Sequence, residues 1–166
     1  MQSLTELMEW LQATSWAVFI HRTPWAFTTI ELVHVFAISL VIGTIVIVDS
    51  RLLGLASTRR PFTELAGAVL PLTWAAFALA VMAGSLLFIS QATAYFANTM
   101  FRIKMLLIVL AGINMLIFEL ITVRGVRDWD RKPVPAPAAR LAGGISIACW
   151  VLVVIFGRWT GFTIMK

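Results

Sequence analysis

Glu31 and His34 are the residues in this chain best suited to chemistry. They lie in the run Ile30-Glu31-Leu-Val-His34-Val-Phe, inside a long apolar stretch. Ionisable groups at membrane depth are costly and are kept for a use or for a partner. At i and i+3 the two side chains leave one face of a helix. A histidine there can ligate haem iron as the metal-binding residue, or hydrogen-bond a quinone carbonyl while a carboxylate takes the proton. Arg102, Lys104 and Arg158 would form an anion clamp near the same membrane face, able to pair with haem propionates or a polar headgroup. Tyr95 completes the candidate cofactor-binding set of His34, Glu31, Arg102, Lys104, Arg158 and Tyr95. The competing explanation is structural: Glu31 pairs with Arg158 or Lys104, and His34 bonds a neighbouring helix.

The elements that must position these residues follow from composition. Hydrophobic residues make up 60% of the 166 residues and charged residues 13%. A soluble domain carries about 45–50% apolar and about 25% charged residues. The excess points to the bilayer, and the length allows about four spans of roughly 20 residues in one domain, 1–166. The expected fold is all-α, a polytopic four-helix transmembrane up-down bundle. Residues 3–20 form an interfacial amphipathic helix, with Leu4, Leu7, Met8 and Leu11 on one face and Trp10 and Trp16 at headgroup level. Thr23-Pro24 breaks the chain and opens the first span. The spans are expected over residues 25–48, 62–95, 101–123 and 139–162. Pro71 is a kink site in the second, and the Pro-rich stretch 124–137 is a polar linker.

Four spans put Arg51, Arg59, Arg60, Arg124, Arg127, Arg131, Lys132 and Arg140 on one side, against Arg22, Arg102, Lys104, Arg158 and Lys166 on the other. Eight cations against five place the first set in the cytoplasm and both termini outside, periplasmic in a bacterium. The net charge of +5 is therefore assigned to topology and lipid headgroups rather than to nucleic acid. At 1.5 Å per residue, Glu31 lies about 9 Å and His34 about 13 Å below the outer end of the first span. The six candidate site residues all fall in that outer third. Asn114, near mid-membrane, is expected to bond across helices. Asp49 and Arg51 read as an end-of-span clasp.

Several chemistries are excluded. Cys149 is the only cysteine, so there is neither an intrachain disulfide nor a thiolate cluster. No P-loop, dinucleotide fingerprint or Gly-x-Ser-x-Gly occurs. Glu31-x-x-His34 is half of a di-iron carboxylate motif with no second copy. His21, thirteen residues before His34, is too distant to share one haem along one helix. Met82 and Met105 are the candidate second axial ligands. The opening residues lack a basic n-region and a cleavage pattern, so the chain reads as having no cleaved leader.

Glu31-Leu-Val-His34, Asp49-Ser-Arg51-Leu-Leu-Gly54, Phe101-Arg-Ile-Lys104 with Asn114, and Gly157-Arg158-Trp159 together resemble a family of small bacterial four-helix inner-membrane proteins of unknown function. There is a fainter likeness to the membrane domain of copper-resistance D proteins and to small b-type cytochrome bundles. The resemblance implies a multi-pass protein of the bacterial inner membrane. The expectation is a subunit or relay of a redox system with a b-haem or quinone contact, not an enzyme on its own. Its partners would be the lipid bilayer and other membrane or periplasmic subunits, or further copies of itself. The alternatives are a cofactor-free scaffold and a small metal-handling or transport protein.

Overall fold

A computed structural model describes residues 2–164; Met1 and the cation Lys166 counted in the orientation lie outside the described residues. The described chain is all-helical. Its elements are α1 (Gln2–Gln12), α2 (Ser15–Arg22), α3 (Pro24–Leu52), α4 (Phe62–Ser90), α5 (Ala92–Ala97), α6 (Thr99–Ile117) and α7 (Pro137–Ile164). A π-helical turn (Phe118–Thr122) and a 3-10 stretch (Val123–Asp128) extend α6. Four of these helical segments are long and apolar enough to cross a membrane: α3, α4, α6 with its extension, and α7.

Local chemistry sets the boundaries. The stretch 3–20 is two helices, because Thr14 bonds in both directions. Its hydroxyl donates to Leu11 O at 2.7 Å, closing α1, and accepts from Ala17 N at 3.4 Å, capping α2. Pro24 opens α3 at a position whose N–H would be unpaired anyway. The second long element, expected over 62–95, is divided at Gln91 (φ −145°, ψ 44°), so Tyr95 belongs to the short helix α5. Pro71 lies within α4, which continues through it. Asn98 caps α6 by accepting from Phe101 N at 3.1 Å, and its amide donates to Thr163 Oγ1 at 2.7 Å. One side chain thus starts α6 and ties it to the end of α7. The third long segment reaches Asp128, beyond Val123, because a π-helical turn and then a 3-10 stretch carry it on, with Gly125 (φ −95°, ψ 15°) bending the chain inside that stretch.

The helices pack in the order α4, α3, α7, α6. The α3–α4 seam is the most extensive. On α4 the buried positions Thr73, Ala76, Ala80, Ala83, Leu87 and Ser90 recur at alternating steps of three and four residues. That is the spacing of a straight packing stripe, and its small side chains permit close approach. On α3 the buried Ala37, Val41, Thr44 and Val48 supply the opposing stripe. Gly143 serves the α3–α7 seam: a Cβ there would lie 3.0 Å from Leu52 Cβ and 3.2 Å from Asp49 O. Asn114 Nδ2 donates to Ala142 O at 3.0 Å, the cross-helix bond expected of it. α4 and the α6 segment meet through aromatic rings at their ends, Phe88 with Phe101 and Phe62 with Phe118.

Two features close the ends. At the end holding Tyr95, α1 packs on α5 through Gln12, whose Oε1 accepts from Thr93 Oγ1 at 2.8 Å. At the other end Val48, Leu52, Phe62, Ala66, Trp129 and Ala139 form a buried cluster. Fully buried Arg51 sits in that end as well. Its Nε donates to Arg60 O at 2.9 Å, and its Nη2 to Asp130 O at 2.8 Å and Lys132 O at 3.2 Å. Asp49 bonds instead to Ser146 of α7, so the expected Asp49–Arg51 clasp is replaced by two separate attachments.

Candidate functional site

His34 projects from α3 onto α4. Its Nδ1 lies 2.8 Å from the Ala80 carbonyl oxygen, which can only accept. The proton is therefore on Nδ1, and a neutral ring leaves Nε2 with a free lone pair. The ring fits because the facing residue is Gly84. A Cβ at that position would fall 2.7 Å from His34 Cε1 and 3.2 Å from Nδ1. Ala80 and Gly84, one turn apart, are thus the floor of the site.

Lys104 enters from α6. Its chain runs past Gly157 of α7, where an added Cβ would be 3.5 Å from Lys104 Cδ. Its Nζ stands 4.8 Å over the Phe101 ring, a cation–π position. The charges of Lys104 and Glu31 both act on the His34 imidazole. Glu31 is exposed one turn away on α3 and also acts on Tyr95. Tyr95 joins an aromatic trio: its ring centroid lies 5.2 Å from Phe101 and 6.2 Å from Phe88, and Phe88 stacks on Phe101 at 5.5 Å.

Four of the six expected site residues therefore share one electrostatic neighbourhood: Glu31, His34, Lys104 and Tyr95. The other two stay on the surface in local contacts. Arg102 donates to Thr99 Oγ1 in its own first turn at 3.4 Å, and the Arg158 guanidinium lies 4.6 Å over the Phe162 ring. Lys104 and Arg158 thus rest on rings rather than on Glu31. His21 lines a separate cleft of about 180 Å³ with Gln12, Val18, Arg22 and Ser90. Met82 lies two residues from both Ala80 and Gly84, about 200° around α4 from the face that meets His34. Among the described residues no group of three or more His, Cys, Asp or Glu is arranged to hold a metal ion. The signal for the floor residues in the sequence is the small-xxx-small pair Ala80-Val-Met-Ala-Gly84.

Tyr95 is the only tyrosine of the chain and lies outside the four long apolar segments. Burial pushes its phenol above the ordinary value of 10.0, and the Glu31 carboxylate adds to the rise. The unfolded chain's phenol ionises first as pH climbs. The stability linked to Tyr95 is thus complete below pH 10.0 and is lost as pH rises through the folded-state midpoint. A tyrosinate absorbance titration of the folded protein should give a midpoint above the free-tyrosine value. Glu31→Gln should move it back toward that value. An unchanged midpoint in the variant would mean that Glu31 does not face Tyr95.

No protein-family model matches the chain, and no curated protein or solved structure matches it. The likeness read from the short motifs rests on the residues quoted for it.

Proposed function

We propose that the protein is a multi-pass component of a bacterial inner-membrane redox system, and that His34 contacts a quinone headgroup in the outer third of an up-down four-helix bundle. In this reading both termini are periplasmic. One observation carries it: the Ala80 hydrogen bond holds the His34 proton on Nδ1 and leaves Nε2 as an acceptor on a ring that the charges of Lys104 and Glu31 both reach. A quinol would donate one hydroxyl to Nε2 while its other hydroxyl oxygen accepts from the Lys104 ammonium. On two-electron oxidation to the quinone, one proton would leave through Nε2 to exposed Glu31 and the second would pass from the other hydroxyl to external water. Phe88, Phe101 and Tyr95 supply aromatic walls. The electrons would pass to another subunit. Arg102 and Arg158 would act at the rim on lipid or partner rather than on the headgroup.

Quinone suits this residue set better than b-haem. Haem needs iron ligation by Nε2, and its usual second axial ligand would have to come from Met82 or Met105. Met82 is on the far side of α4 from His34, and Met105 is 44% exposed. A cofactor-free scaffold is the second reading, favoured by one specific feature: an imidazole seated on Gly84 and bonded to Ala80 is also what a helix–helix lock looks like.

The deciding measurement is a pair of assays on the detergent-purified protein and on His34→Ala. The quinone reading expects no haem bands in the reduced-minus-oxidised spectrum. It also expects saturable quenching of tryptophan fluorescence by a short-chain quinone, weakened about tenfold or more in the variant, as for loss of one headgroup hydrogen bond. Haem bands that vanish in the variant would replace quinone by haem. No bands and identical quenching would leave the scaffold.

A further inference from the structure

The end of the molecule opposite His34 is a built platform of cations. Arg51 binds the carbonyl oxygens of Arg60, Asp130 and Lys132 at 2.8 to 3.2 Å with one guanidinium. It thereby draws the α3–α4 connection and the α6–α7 connection, about eighty residues apart in sequence, onto a single point. Gly54 (φ 74°) lets the two loops touch, since a Cβ there would meet Pro133 O at 3.2 Å. Asp130 then caps α4, accepting from Thr63 N at 2.8 Å and from Thr63 Oγ1 at 3.0 Å. The outcome is four exposed cations in two adjacent loops: Arg59, Arg60, Arg131 and Lys132. Beneath them Arg51 is buried, its bonds go to carbonyls rather than to a carboxylate, and its Nη1 has no hydrogen-bond partner. Asp130 is occupied by Thr63, and Glu64 and Asp128 are the exposed carboxylates nearest in sequence.

We infer that this platform is a docking surface for anionic phospholipid headgroups. The inference rests on the membrane placement of the four long helices and is independent of any redox role. If those helices cross a bilayer, their ends lie at headgroup depth, where phosphodiesters are the most abundant acceptors. Arginine is the side chain that best grips a phosphate, through its planar fork of donors. Each cation near an anionic surface adds about fivefold to the affinity. The backbones of the two loops are held by side chain-to-backbone bonds, so the four cations project from fixed points.

The test is native mass spectrometry of the full chain in detergent doped with equal amounts of phosphatidylglycerol and phosphatidylcholine. The expected result is preferential retention of phosphatidylglycerol. Combined Arg59→Gln, Arg60→Gln, Arg131→Gln and Lys132→Gln should reduce that preference at least about tenfold. The four charge-keeping changes Arg59→Lys, Arg60→Lys, Arg131→Lys and Lys132→Arg should preserve most of it, and Arg22→Gln with Arg102→Gln, at the opposite end, should leave it intact. Circular dichroism melts check that each variant is folded. Equal retention of the two lipids by the wild type would overturn the inference, as would a preference that survives the fourfold Gln variant. Displacement of bound phosphatidylglycerol by polyglutamate but not by excess neutral lipid would reassign the platform to an acidic protein partner. Failure of the protein to incorporate into neutral-lipid nanodiscs would strike at the membrane placement instead.

Discussion

Replacing Arg51 by alanine should destabilise the protein by about 3 kcal/mol, the scale for removing one member of a buried charged hydrogen-bond set. The physical reason is the number of groups left without partners. The carbonyl oxygens of Arg60 and Lys132 lose their side-chain donor, and that of Asp130 keeps only its bond from Phe62 N. The two loops they belong to lose their shared anchor. Lysine should recover less than half of the loss, because one ammonium cannot reach three oxygens in the arrangement the guanidinium spans. Reversible unfolding in mixed micelles of wild type, Arg51→Ala and Arg51→Lys measures this directly. A change within about 0.5 kcal/mol for the alanine variant, the ordinary scatter of surface substitutions, would show that the loops hold together without Arg51.

The second large effect lies at His34 and has the form of a cycle. Gly84→Ala puts a methyl group 2.7 Å from His34 Cε1, so the ring must move and the Ala80 bond at 2.8 Å must stretch or break. The expected cost is about 1–3 kcal/mol, the usual price of overpacking. In a His34→Ala background the same change meets no ring. It should then be neutral or stabilising by up to about 1 kcal/mol, because alanine favours the helix over glycine. A coupling of about 1–3 kcal/mol between the two positions would establish that Gly84 exists for the His34 ring. Additive effects would refute that. The cycle also bears on function. If quinone quenching weakens in Gly84→Ala while the fold persists, ring position matters for more than packing. If quenching is the same in both, the seat on Gly84 serves the α3–α4 seam alone.

The helix chemistry of the two ends explains why they differ in how readily they could be read. At the end holding His34 the signals are local. Glu31 and His34 are one turn apart on one helix, and Tyr95, Phe101 and Lys104 fall within ten residues of one another. Their height along the helices follows from helical rise, so their nearness to one end was legible before any tertiary information. Arg102 and Arg158 share that height yet turn to Thr99 and Phe162, because height along a helix says nothing of azimuth. At the other end, Arg51 looked like the partner of Asp49 two residues away. Its actual partners are carbonyls 9, 79 and 81 residues away. Backbone carbonyls occur at every residue and leave no mark in a sequence.

Composition and periodicity alone determined that the chain is all-helical, with four helices long and apolar enough for a membrane, because hydrophobic length and helix-breaking prolines are properties of consecutive residues. They also located Asn114 as a cross-helix donor, since an amide in an apolar run must find a partner. Only the tertiary structure decided the packing order α4, α3, α7, α6. It alone selected the His34 tautomer, through the Ala80 carbonyl, and made Gly84 rather than another glycine the seat of the ring. Each of these depends on which face of one helix meets another. That is settled by the fit of small side chains across the seam, a pairwise quantity that no single stretch of residues carries.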